Sequence, residues 1–198
     1  MKKLMMIAAM MVATLSASAQ EVEVGQFYLK PMVGATMTTL TKVDNSKMKV
    51  GLLGGAEVGV KVAEPFDVTA GLLFMMQGTK GKDSEFTKNA STTLTYLNVP
   101  ILANVYVLPG LALKAGVQPG FLLTSKAKYK NGAGEKIENT NKDYLNKFDF
   151  SIPMGISYEF SNFIIDARYN LGLTKVPKEG VSSKNSVIML TVGYKIPF

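Results

Sequence analysis

Every second residue from Phe148 is apolar: Phe148, Phe150, Ile152, Met154, Ile156, Tyr158 and Phe160. Between them stand Asp149, Ser151, Pro153, Gly155, Ser157 and Glu159. Apart from the proline, an extended chain here has one continuously greasy face and one polar face. Ser161-Asn162 makes a two-residue turn, where Asn tolerates the positive φ of tight hairpins. The alternation then resumes with Phe163, Ile165, Ala167, Tyr169 and Leu171. Each arm is about twice the roughly 5–6 residues of a soluble sandwich strand. It matches the roughly 9–11 residues that a tilted strand needs to cross a bilayer. The hairpin forms two staves of a transmembrane barrel.

Six further segments alternate in the same way, at about residues 26–36, 50–62, 66–77, 92–105, 111–123 and 186–198. The connections at 63–65, 108–110 and 161–162 are short, and those at 38–49, 78–91, 124–147 and 174–185 are long and polar. Short periplasmic turns, long extracellular loops and an even strand number are the outer-membrane layout. The expected fold is all-β, an eight-stranded antiparallel up-and-down transmembrane β-barrel. Pro31, Pro100, Pro119 and Pro153 strain it, since each lacks an N–H and a closed barrel has no edge to hide it on. Bulges, or a lost bond turned toward the lumen, are expected there.

The N-terminus sets the compartment. Lys2-Lys3, an apolar run ending at Leu15 and Ala17-Ser18-Ala19 make residues 1–19 a cleavable export signal, leaving residues 20–198 as one barrel domain in the outer membrane. The chain has no cysteine, so neither a lipid anchor after that site nor disulfides are expected.

Charge sorts by face. Lys30, Lys61, Lys114, Arg168 and Lys195 point inward against Glu57, Asp67, Asp149, Glu159 and Asp166, and no charge falls on an outward position of a predicted strand. Lys or Arg facing lipid near the midplane costs about 2–4 kcal/mol, so the outward face meets membrane lipid. An evenly balanced set suits a closed polar lumen in which ions are paired. The turn at 63–65 places Lys61 opposite Asp67 as a cross-strand pair. Ser161-Asn162 places Arg168 opposite Gly155, whose missing side chain leaves the guanidinium room. A catalytic or binding use of Asp149, Glu159, Asp166 and Arg168 competes with this structural network, which is the commoner cause of such clusters.

The long loops hold fifteen Lys against seven acidic residues. That rim is either simply solvated or attracts anionic lipopolysaccharide or polysaccharide. Charge so dispersed, without a stacking platform, is no nucleic-acid footprint. The chain has no His and no Cys, which excludes His-based catalysis, Cys nucleophiles and His/Cys metal sites. No cofactor is expected. Eight strands enclose a lumen filled by its own side chains, so the function expected is non-enzymatic, through interaction with a partner. A narrow conduit and a soluble lipocalin-like barrel are the competing readings; strand length and loop asymmetry favour the membrane.

Tyr96-Leu97-Asn98-Val99-Pro100-Ile101-Leu102, Leu113-Lys114-Ala115-Gly116 with Gly120-Phe121, and residues 149–160 with Ile165-Asp166-Ala167-Arg168-Tyr169 resemble a known family. It is the small outer-membrane β-barrel domain family of Bacteroidetes that includes PorT-like proteins. Where that family often carries an acidic residue, this chain has Asn98. The ending with Tyr194, Ile196 and terminal Phe198 resembles the C-terminal strand signal read by the barrel assembly machinery. The resemblance implies a barrel and that assembly partner, and it brings no catalytic residues. Some members are tied to protein secretion.

Overall fold

The computed structural model describes residues 22–41, 46–81, 88–130, 136–140, 144–177 and 183–198; the expected export signal at 1–19 lies outside them. Among the described residues the strands are β1 (Phe27–Leu40), β2 (Ser46–Ala63), β3 (Phe66–Gly81), β4 (Lys88–Asn98), β5 (Ile101–Leu108), β6 (Leu111–Lys130), β7 (Lys136–Asn139), β8 (Phe148–Phe160), β9 (Phe163–Lys175), β10 (Lys184–Tyr194) and β11 (Ile196–Pro197). β4 and β5 form one stave interrupted at Val99-Pro100, and β10 and β11 another interrupted at Lys195. β7 is a short arm paired to the end of β6. The result is an eight-stave antiparallel sheet that closes where β10 meets β1. Closure removes the free edges that an open sheet would expose.

The faces fall as the alternation requires. Glu57 and Asp166 are fully buried and Arg168 nearly so, while their neighbours Val58 and Ile165 are 44% and 55% exposed on the outer wall. Lys61 sits opposite Asp67, and Arg168 opposite Gly155. Aromatic pairs ring both ends of the apolar belt: Phe27 with Phe198 and Phe163 with Tyr194 at the short-turn rim, Phe121 with Phe148 at the other. Such girdles mark the two membrane interfaces.

The bulges expected at the prolines are absent; the ladder lapses for two residues at each and resumes in the same register. Pro31 lies where β1 breaks with β10 and β11, between Leu29 opposite Ile196 and Met32 opposite Gly193. Pro153 lies in the gap between Met154 opposite Ala115 and Ser151 opposite Gln118. Pro100 and Pro119 share one gap, because each strand lacks a donor at the same height. Their carbonyls still work: Gly71 N donates to Pro100 O at 3.0 Å and Val99 N to Pro119 O at 2.8 Å. Register is held by the side-chain faces, so a missing bond does not shift it.

The staves also run further outward than the amphipathic pattern shows. β1 reaches Leu40, β3 reaches Gly81 and β6 reaches Lys130, so much of the sequence expected as long loop is strand. Beyond the apolar belt the ladder continues but no greasy face is needed, and Thr, Ser and Lys occupy both sides. β6 carries one extra residue there, between Leu122 opposite Tyr96 and Thr124 opposite Thr95. That bulge reverses the parity of the strand. Lys126 and Lys128, at even positions like the inward Lys114, are thereby turned out to solvent.

Candidate functional site

Halfway along the lumen, β1, β2, β6 and β9 converge five charged side chains. The Arg168 guanidinium donates to both Glu57 oxygens at 2.6 and 3.1 Å and to both Asp166 oxygens at 2.8 and 2.7 Å. Lys30 pairs with Glu57 at 2.6 Å, and Lys114 with Asp166 at 2.6 Å. All five are buried. A Cβ at Gly155 would come within 3.0 Å of Arg168 Cγ, so the glycine does make the space that arginine occupies. Three cations on two anions form a layer across the bore.

Between this layer and the short turns lies a second cluster. Lys195 pairs with Glu159 and stands 4.7 Å from the centre of the Tyr28 ring. Tyr28 and Tyr106 both reach Asp67 Oδ2, at 2.9 and 3.2 Å. Lys61, although opposite Asp67, pairs with Glu64 in the adjoining turn. The expected Lys61–Asp67 ion pair is therefore corrected: register brings the residues level, but phenols from the adjoining β5 and from β1, one strand beyond β2, take the carboxylate. Tyr28 fits because it lies over Gly59, where a Cβ would collide with its ring.

Asp149 is a second correction. It is buried near the outer rim, with no cation paired to it among the described residues; Asn185 Nδ2 donates to it at 3.4 Å. It stands apart from Glu159, Asp166 and Arg168, so the four do not form one site. The lumen is also not polar throughout. Beyond the ionic layer Met32, Leu53, Leu73, Met75, Val187 and Met189 pack together. Nearer the outer end Leu94, Tyr96, Leu122 and Val176 form another apolar cluster with Leu145 against it. Leu145 is held there by its bridge to Pro177 and by Asn146 N donating to Val176 O. Strict parity carried one residue beyond Val105 would have found Tyr106, and the apolar plug was signalled by the unbroken apolar runs at 72–76 and 187–190, which a strict alternation passes over.

At the outer rim the ladder brings lysine positions level with one another. Lys47 is in register with Lys80, Lys88 with Lys130, Lys130 with Lys136, and Lys175 with Lys184. Lys128 pairs with Glu138 at 2.9 Å, and that hydrogen bond holds the Glu138 carboxyl below its ordinary range. At the opposite end, Phe198 N donates to Phe27 O, and Ile196 pairs with Leu29, so the terminal residues close the barrel.

A closed barrel with an apolar outer belt, aromatic girdles and a charged bore has known counterparts. Residues 18–177 match the family described as outer membrane protein beta-barrel domain. The chain belongs to this family. It is an outer-membrane barrel. No curated protein matches its sequence. Among solved structures it is similar to Ail, the attachment invasion locus protein of Yersinia pestis, with a TM-score of 0.53 and 17% identity over 88% of this chain and 100% of Ail. Ail in complex with the heparin analogue sucrose octasulfate gives a TM-score of 0.52 at 17% identity over the same shares of the two chains. OprG from Pseudomonas aeruginosa gives 0.50 at 11% identity, covering 89% of this chain and 98% of OprG. At these identities the likeness is one of fold.

Proposed function

We propose that this barrel works as a non-enzymatic surface protein, whose basic outer rim holds a polyanionic saccharide bearing phosphate or sulfate groups. The observation that carries this is the lysine register. Like charges directly opposite on a sheet are destabilising, and four such juxtapositions crowd the extension outside the membrane. A polyanion neutralises that repulsion and gains field from several strands at once. Ail, with the same fold, was crystallised with a heparin analogue, which supports testing sulfated sugars first.

Binding to immobilised heparin and to lipopolysaccharide is expected, and it should fall steeply as salt rises from about 0.1 to 1 M, where screening shortens from roughly 10 to 3 Å. Replacing Lys47, Lys80, Lys126 and Lys128 with Glu should abolish it while leaving the barrel folded. Retention on heparin alone points to a sulfated glycan from outside the cell, and on lipopolysaccharide alone to the membrane's own sugars. Salt-independent binding, or none to either, defeats the proposal.

The filled lumen supports the non-porin part of this reading. An ionic layer and two apolar clusters occupy the bore in series, as expected for eight staves. Planar bilayers containing the protein should show no unitary conductance steps; regular steps would establish the narrow conduit instead. Kinship with the PorT-like branch rests on residues 96–102, 113–116 with 120–121, and 149–160 with 165–169; the ending with Tyr194, Ile196 and Phe198 would address the chain to the barrel assembly machinery. Under that kinship the same rim would serve a protein partner in secretion.

A further inference from the structure

A cavity of about 560 Å³ opens at the periplasmic mouth, lined by Lys61, Glu64, Asp67, Tyr106, Glu159 and Lys195. Its volume lies within the roughly 300–1,000 Å³ of small-ligand pockets. Both lysines are already matched, Lys61 with Glu64 and Lys195 with Glu159. Asp67 is not. It is 2% exposed, its Oδ1 has no hydrogen-bond partner, and Asn104 Oδ1, opposite it on β5, also has none.

Tyr106 Oη lies 3.2 Å from both Asp67 Oδ2 and Glu159 Oε2. One hydroxyl carries one proton, so it serves only one carboxylate at a time. Tyr28 supplies the other phenolic proton, to Asp67 Oδ2. Lys195 is spent on Glu159 and on the Tyr106 oxygen. The cluster is short of donors and carries one uncompensated negative charge among its six polar lining groups. We propose that this cavity is a binding site for a primary alkylammonium group, one of whose three N–H donors reaches the Asp67 carboxylate in the cavity wall. An anion is disfavoured, because no unmatched cation lines the cavity among the described residues.

The test uses the detergent-purified protein and three matched probes: N-acetyl-lysine amide, its neutral analogue N-acetyl-norleucine amide, and N-acetyl-glutamate amide. Saturable binding of the lysine probe alone is expected, with amide shifts at Asp67 and Asn104 in the NMR spectrum. Asp67→Asn should weaken it by about tenfold or more, the value of a hydrogen bond to a charged group. Tyr28→Phe removes a competing donor and should tighten it a few-fold, a change general damage to the fold cannot produce. Binding that survives Asp67→Asn, equal binding of the neutral or acidic probe, or weaker binding by Tyr28→Phe would overturn the proposal. If Asp67→Asn does not fold, Tyr28→Phe decides the matter alone.

Discussion

Changing Asp166 to Asn should cost about 3–5 kcal/mol of folding stability, the range for breaking a buried ion pair from one side. Asp166 accepts from Lys114 at 2.6 Å and from Arg168 at 2.8 and 2.7 Å, and lies 3.9 Å from Lys30. Its loss leaves three buried cations sharing Glu57. Arg168→Met should cost less, because Lys30 stays on Glu57 and Lys114 on Asp166, and the layer becomes neutral. Lys114→Met should cost least, and in the Asp166→Asn background it should restore part of the loss, with a coupling of about 1–3 kcal/mol. Urea titrations in lipid vesicles give the order directly. If Asp166→Asn proves no more damaging than Lys114→Met, charge balance is not what organises the bore.

This layer shows how far the sequence carries and where it stops. Gly155 opposite Arg168 follows from a two-residue turn and a strict pleat, both local, so it was legible. Lys61 opposite Asp67 was legible from the length of the 63–65 connection, although a register shift at Val62 tightens that turn, yet the ion pair was not, because a hairpin fixes which residues are level and not which partner wins. The winners, Tyr28 and Tyr106, come from β1 and β5, strands outside that hairpin on either side of it. The coincidence of Pro100 with Pro119 likewise depends on the stagger between two staves. The outward continuation of β6 was hidden for another reason. Outside the bilayer a strand sheds its amphipathic signature, and one inserted residue near Leu123 turns Lys126 and Lys128 to the opposite face.

Val58→Arg should destabilise the barrel by about 2–4 kcal/mol, as expected for a cation placed against lipid at the midplane. Its depth follows from register. Val58 lies opposite Ala70, and Ala70 is midway between Phe66 near the short-turn rim and Phe74 toward the outer end. The adjacent Glu57 is fully buried in the bore, so a shift of one residue separates a tolerated charge from a costly one. Met48→Arg provides the comparison: it lies on the same strand but in the outer extension, where the same substitution should change stability by roughly 0–1 kcal/mol. Equilibrium unfolding of the two variants in vesicles isolates depth from chemistry. Equal losses would mean that the belt containing Val58 does not face lipid, and the assignment of inside and outside would fail with it.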